Sequence, residues 1–364
     1  MLRPKSKAKL IAEEVGVSLT TVSQALAGRP NACSAETAAL IVAAAERIGY
    51  VPNGRGKELR RSGPRSMAIG FCVFDSALRV RLTEQEGFWE NSYFERLLRG
   101  ALARQVDSDY RLVLFPASVV ESAQYEAFLD GSIDGLLFAA GHGDERPNIV
   151  ADRGLPVVAL SRSTELSDRA SSVIADEKQV VELVMTHLWS LGHRRIAHIA
   201  GPLEEDSEDS RYGQGDIALA RFHAYREFMA VRGLFDDGLM MPGRNWSGTY
   251  AASAVYRLAE RNPRPTAIFC ANDALAREAM KAAASIGWSV PDRLSIVGVD
   301  NVHGASICDP PLTTVDLAVE WLGNEGVRLL LNQLAQPTSQ PARLSLEVAK
   351  LIVRGSSGPA LDAL

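Results

Sequence analysis

Residues 15–26, VGVSLTTVSQAL, crowd small hydroxyl side chains at the start of a helical stretch: Ser18, Thr20, Thr21 and Ser23, with Leu19 and Gln24 among them. Short donors at a helix N-terminus suit phosphate oxygens, because free backbone N–H groups and the positive end of the helix dipole favour anions there. Gln24 is able to read an adenine edge through two hydrogen bonds. The stretch therefore reads as a nucleic-acid surface, with Ser18, Thr21 and Ser23 directed to phosphates and Leu19, Thr20 and Gln24 to base edges. Many helical pairs carry Ser and Thr on a merely solvated face, and spacing alone does not separate the two readings.

A second set of polar residues directly follows apolar runs. Ser161-Arg162 follow PVVAL, Asn272-Asp273 follow TAIFC, and Asp300-Asn301 follow LSIVGV. Ligands of open parallel sheets bind beyond the carboxyl ends of strands, so these groups are candidates to pair the hydroxyls of a small ligand. An Asp in this position also commonly caps the next helix, and Asp273 is expected to do part of that work. There is no nucleophile elbow, phosphate-binding glycine loop or metal-ligand cluster, and the six histidines (His142, His187, His193, His198, His223, His303) are dispersed. The four cysteines, Cys33, Cys72, Cys270 and Cys308, lack CxxC spacing. Catalysis, a cofactor, a disulfide framework and a zinc site are thus not indicated.

The elements that must position these groups are legible. The chain has 364 residues, enough for two or three domains. Residues 1–66 carry 11 Lys/Arg against 5 Asp/Glu and the remainder 28 against 39, a basic module on an acidic body. That asymmetry points to nucleic acid. Helices are expected from about Lys7 to Glu14 with Ser6 as N-cap, from Ser18 to near Ala27-Gly28, and over SAETAALIVAAAERIG, ending at Gly49. Gly16 permits the turn between the first two. Ile11, Ala12 and Val15 then face Val22 and Leu26, which makes a helix-turn-helix. VPNGRGKELRRSGPRS, with three glycines, two prolines and five basic residues, reads as a linker that sets a boundary near Met67. Beyond it, short apolar runs alternate with amphipathic segments, the signature of parallel sheets in an α/β fold, and seven or more strands fit two sheets better than one. No apolar run spans a bilayer, and no secretory core follows the basic start, so a cytosolic protein is expected.

Taken together, IAEEVGVSLTTVSQAL, ERIGYVPNGRGKELR, MAIGFCVF, HLWSLGHRRIAHIAGP, FCANDALAREAM, LSIVGVDN and DPPLTTV resemble, in order and over essentially the full chain, the lactose-repressor (LacI) family of bacterial transcription regulators. The resemblance implies a small all-α helix-turn-helix head (1–50), a hinge (51–66), and an α/β core of two periplasmic-binding-protein-like lobes with parallel sheets. Lobe one would hold 67–163 and 316–344, and lobe two 164–315 and 345–364, with the effector cleft between them. It also implies a homodimer on near-palindromic double-stranded operator DNA and a small-molecule effector, a sugar or related metabolite. Asn53 and Arg55 in the hinge join the DNA-contacting residues, and Leu59 stands where the family wedges a leucine into the minor groove. In the cleft the resemblance adds Trp246 as a stacking surface and Phe74, Tyr93 and Phe94 as aromatics.

One departure concerns the ligand. The family usually carries an Arg about four residues before a Gly-aromatic pair after the strand ending AGP. Aligning Phe222 with that aromatic puts Ala218 at the Arg position and Arg221 at the Gly. Either Arg211 takes the role by way of a longer loop, or no arginine does. The acidic run Glu204, Glu205, Asp206, Glu208 and Asp209 reads as a solvated loop. A solute-binding protein for transport is the alternative reading, which a basic head without a signal segment disfavours; induction and corepression remain equally open. Gly54 and Gly56 each cost about 1 kcal/mol of helix propensity, so the hinge is expected to be unfolded away from DNA. Leu59→Ala should lower operator affinity and the DNA bend angle, since an inserted side chain recovers an unstacking cost of a few kcal/mol through bending. Gel-shift assays on circularly permuted operator fragments check this, and unchanged affinity and bend would reject the wedge.

Overall fold

The computed structural model describes residues 7–26, 33–48, 65–73, 93–115, 125–139, 145–160, 166–203, 215–243, 246, 248–337 and 340–361. The chain divides into two compact units, Met1–Ser66 with Asp130–Ser132, and the remainder.

In the first unit, α1 (Lys7–Val15), α2 (Leu19–Leu26) and α3 (Ala35–Ile48) surround a small core of Ile11, Ala12, Val22, Ile41, Ala44 and Ala45. Gly16 turns the chain at φ 72°, a left-handed value that glycine adopts without steric cost. Ser18 caps α2, its Oγ accepting from Thr21 N at 3.0 Å, and Ser34 caps α3 through Thr37 N at 3.2 Å. Arg47 on α3 pairs with Glu14 on α1. Ser6, expected to cap α1, and the side chain of Leu26 lie outside the described residues.

The second unit contains two six-stranded sheets. The first holds β1 (Ala68–Val73), β2 (Arg111–Phe115), β3 (Gly135–Ala139), β4 (Val157–Leu160), β5 (Ala170–Ala175) and β11 (Arg343–Leu346), in the order β11-β5-β4-β3-β1-β2. All its pairings are parallel. The second holds β6 (Ile196–Pro202), β7 (Met240–Gly243), β8 (Ala267–Cys270), β9 (Ser295–Val299), β10 (Thr313–Asp316) and β12 (Lys350–Ile352), in the order β12-β10-β9-β8-β6-β7. Only β12 runs antiparallel there, against β10. β3, β4, β6, β8 and β9 are buried along their whole length, which is why they read as continuous apolar runs rather than alternating ones.

The helices of this unit are α4 (Tyr93–Gln105), α5 (Arg146–Asp152), α6 (Glu177–Ser190), α7 (Gly215–Ala230), α8 (Ala251–Ala259), α9 (Asp273–Ser285), α10 (His303–Ile307) and α11 (Val319–Ala335). No described helix is long and apolar enough to cross a membrane.

The lobe boundary moves from the expected position. β5 pairs in register with β4, from Val157↔Ala170 to Leu160↔Val173, so the chain leaves the first sheet at Asp176 and not at 163/164. It leaves again after β11, which extends through Leu346 and pairs with β5, rather than at 344/345. The apolar run of β5 is short and Ser-containing, which hid its membership in the first sheet.

α4 and α11 pack backbone to backbone. A Cβ at Gly100 would stand 1.7 Å from the Glu320 carbonyl oxygen, and one at Gly323 2.1 Å from that of Leu97. Two bare positions thus set how close the helices come, and with it where Arg96, Glu320 and Tyr93 stand. Gly100→Ala forces the helices apart in a close-packed interior and is expected to cost roughly 1–3 kcal/mol. Urea unfolding of the two proteins measures it, and an unchanged midpoint would contradict the packing described.

Candidate functional site

Two surfaces carry the candidate residues. On α2, Leu19 is 50% exposed and Thr20 is exposed, while Gln24 is half-buried. The Ser18 and Thr21 hydroxyls lie 2.9 Å apart as part of the cap. These two are therefore turned to the helix N-terminus, where the dipole favours an anion. The side chain of Ser23, and Asn53, Arg55 and Leu59 altogether, lie outside the described residues.

The second surface lies at the carboxyl ends of the strands of sheet two. The order β7-β6-β8 reverses the direction of winding at β6, and the crevice of such a sheet opens there. At the end of β6, Gly201 has no side chain, and the Trp246 ring lies against it, 2.7 Å from where a Cβ would stand. Asn272 follows β8; its Oδ1 caps α9 by accepting from Leu275 N at 2.8 Å, and its Nδ2 donates to Trp246 O at 3.1 Å. Asn272, not Asp273, is the capping residue. Asp273 is fully buried, accepting from Thr314 Oγ1 at 2.5 Å and Val302 N at 2.9 Å. Both carboxylate oxygens are engaged, and burial, with the charge of Asp300 added, pushes its carboxyl well above the usual range.

Asp300 is different. It follows β9 with φ 111°, and Asn301 follows with φ 52°, two successive left-handed non-glycine residues. Each such residue costs of order 1–3 kcal/mol and persists only where its surroundings hold it. Asp300 N donates to Val315 O at 2.9 Å, and Asp300 O accepts from Arg96 Nη1 at 2.6 Å. Asn301 Nδ2 donates to Asp316 at 2.9 Å, and its Oδ1 accepts from Arg354 at 2.7 Å. The Asp300 carboxylate itself has no hydrogen-bond partner among the described residues. Burial lifts it to about 7, with Glu177 adding and Arg221 and Arg96 opposing.

A buried arginine that the sequence reading did not choose stands at this end of the sheet. Arg221 on α7 is 2% exposed; its Nε donates to Glu177 Oε2 at 2.6 Å and its Nη1 to Ala271 O. Its guanidinium carbon lies 5.9 Å from the Trp246 ring centre, and it acts electrostatically on Asp300 and Tyr93. Tyr225 is buried, with its hydroxyl donating to Ile196 O at 2.8 Å, and Arg221 stands four residues before it. Ala218, assigned to the arginine position, is simply buried in α7.

Lobe one contributes α4. Tyr93 and Phe94 are half-buried and meet edge to face, 5.6 Å apart. Arg96 is 7% exposed and reaches across the lobes: besides Asp300 O, it donates to Glu320 at 3.0 Å and Asp316 at 2.9 Å. Asp316 also accepts from Ala318 N at 2.8 Å, at the crossover from β10 to α11. Neither Arg96 nor Glu177 was a candidate from sequence; a basic residue on the otherwise apolar face of α4, beside Leu97, Gly100 and Ala101, was the available sign. Phe74, Ser161, Arg162, Arg211 and the acidic run 204–209 lie outside the described residues.

Known proteins match both parts of the chain. Residues 9–53 match the bacterial regulatory proteins of the lacI family, and residues 185–357 match the periplasmic binding protein-like domain. The chain joins a lacI-family helix-turn-helix to a periplasmic-binding-protein-like domain. It is 28% identical over 354 residues to the HTH-type transcriptional repressor CytR of Escherichia coli strain K12, covering 96% of this chain and 95% of that one. To the ribose operon repressor of the same strain it is 27% identical over 355 residues, covering 96% and 99%. Among solved structures, the transcriptional regulator CelR in complex with cellobiose superposes with a TM-score of 0.69 at 26% identity, covering 98% of this chain and all of that one. The lacI-family fold, a helix-turn-helix followed by a two-lobed periplasmic-binding-like core, is thus the fold of this chain, and its relatives CytR and the ribose operon repressor are repressors.

The half-buried Asp300 carboxyl has a consequence for stability. Its folded-state titration near 7 lies above the ordinary 3.8, so the stabilisation from its neutral form is complete below about pH 4 and is lost as pH rises through about 7. The melting temperature of the ligand-free protein should fall between pH 5 and 8 by more than that of Asp300→Asn. Parallel profiles for the two proteins would contradict the burial.

Proposed function

We propose that this protein is a transcription repressor whose operator affinity is set by a small hydroxylated ligand held between the two core lobes. The observation that carries the ligand half is the Asp300 carboxylate, without a hydrogen-bond partner among the described residues, next to the Arg221 guanidinium and the Trp246 ring. An acceptor and a donor side by side match neighbouring hydroxyls, and an aromatic face matches the apolar face of a sugar or nucleoside. Asn272 lines the same end of the sheet, with Tyr93 and Phe94 approaching from lobe one. Asp273 is left out, because its oxygens are both occupied. The similar CelR structure carries cellobiose, a ligand of this chemistry.

The DNA half rests on α2, whose exposed Leu19 and Thr20 meet base edges while Gln24 reads a further base and Ser18, Thr21 and Ser23 hold phosphates. Two copies of the chain bind the two halves of a near-palindromic operator, and the hinge at 51–66, with Asn53, Arg55 and Leu59, folds against the minor groove between them. Ligand binding shifts operator affinity by favouring one of two lobe arrangements. Arg96 supports this coupling, since it joins the ligand-facing corner at Asp300 to the crossover at Asp316 and to α11 of lobe one.

Selection from random duplex DNA should enrich a near-palindrome. Its affinity should fall by roughly 1,000-fold or more between 50 and 200 mM salt if six or more phosphates are contacted. No enriched palindrome, or salt-insensitive binding, would sink the regulator reading. For the ligand, a thermal-shift screen of sugars and nucleosides is expected to yield compounds that stabilise the wild type and not Asp300→Ala.

A further inference from the structure

Arg221 meets any ligand with its charge already matched. Its side chain and that of Glu177 are 3% and 11% exposed, and they share a 2.6 Å charge-assisted hydrogen bond. Burial works against the guanidinium charge, yet the carboxylates of Glu177 and Asp300 more than offset it and strengthen its hold on the proton. Around the same corner, the carboxyls of Glu177, Asp300, Asp316 and Glu320 outnumber the guanidiniums of Arg96, Arg221 and Arg354, while burial holds Asp273 toward its neutral form. Arg96 is no more available than Arg221, since Asp316, Glu320 and the Asp300 carbonyl occupy it.

We infer that Glu177 is a selectivity residue that closes this cleft to anions, so that the effector is an uncharged polyhydroxylated molecule and its phosphorylated or carboxylated counterparts are refused. The inference deepens the reading of the cleft as an effector site and rests on it. A phosphate or carboxylate reaching Arg221 has two routes, both unfavourable. It displaces Glu177 and leaves a buried carboxylate without its partner, or it adds its charge beside Glu177 and Asp300 in a desolvated site. A neutral polyol does neither. It accepts from Arg221 Nη2, which has no hydrogen-bond partner among the described residues, donates to Asp300, and leaves the Glu177–Arg221 pair intact.

The test compares matched probes on the full-length protein: ribose against ribose 5-phosphate, glucose against glucose 6-phosphate, and inorganic phosphate against potassium chloride of equal ionic strength. Thermal shift and calorimetric titration are the readouts. For the wild type, no anion should stabilise beyond the chloride control, and a phosphorylated form of any sugar that binds should bind on the order of 100-fold more weakly than its parent. Glu177→Gln keeps the amide oxygen as an acceptor for Arg221 but removes the charge; it should gain a saturable response to inorganic phosphate that Glu177→Gln/Arg221→Gln lacks.

Saturable stabilisation of the wild type by phosphate, a phosphorylated sugar binding more tightly than its parent, or a folded Glu177→Gln with no gained response would each overturn the inference. Should the variant fail to fold, the wild-type comparisons still decide. Failure of the repressor reading would appear separately, in the DNA selection, which this titration does not touch.

Discussion

The core depends on how the corner at Asp300 and Asn301 is held. Two consecutive left-handed residues without glycine are unfavourable by themselves, and hydrogen bonds with four neighbouring residues fix them. Val315 O takes the Asp300 amide, Arg96 the Asp300 carbonyl, and Asp316 and Arg354 the Asn301 side chain. The result is an acceptor carboxylate held out at the end of β9 with its backbone immobilised. Preorganisation of this kind lowers the ordering cost of ligand binding.

The same corner links the lobes. Arg96 belongs to lobe one, while the groups it binds lie at the end of β9, at the crossover after β10 and in the first turn of α11. A guanidinium suits this task because its five donors form a rigid planar fork able to serve several acceptors at once, which an ammonium does less well. Its position follows in turn from the backbone contact of Gly100 and Gly323, which brings α4 against α11. The Asp316 and Glu320 carboxyls are held below the usual range: burial pushes them up, and the hydrogen bonds they accept, those from Arg96 and for Asp316 also from Asn301, more than compensate. The position of Asp300 and the geometry of the crossover therefore share one anchor.

The first unit is built on other terms. Its core is six buried residues, all aliphatic, and helix caps at Ser18 and Ser34 add to it, while the exposed ion pair of Glu14 with Arg47 contributes little. Packing uses Ile11, Ala12 and Val22, and what remains outward on α2 is Leu19 and Thr20. A unit this small leaves few side chains without a task, which is why its surface was readable from residue types.

Much of the architecture was open to reading from the chain alone, because its causes are local. Apolar runs broken by amphipathic segments specify parallel strands and covering helices; Gly16, Ser18 and Ser34 punctuate the first three helices; and polar residues after apolar runs mark the carboxyl ends of strands, where Asn272 and Asp300 stand. The failures also have a cause. Glu177 and Arg221 are 44 residues apart, and Arg96 lies 204, 220 and 224 residues from the groups it binds. No period or spacing records such pairings. Asp273 and Asp300 both stand near the carboxyl ends of strands, yet one is consumed by Thr314 and Val302 and the other left open. Residue types and their periodicity determined the helices, the sheets and the candidate polar groups. Which charges neutralise one another, which carboxylate stays available and where the lobes exchange chain were decided only when distant segments met in a desolvated cleft, where each buried charge must find its partner.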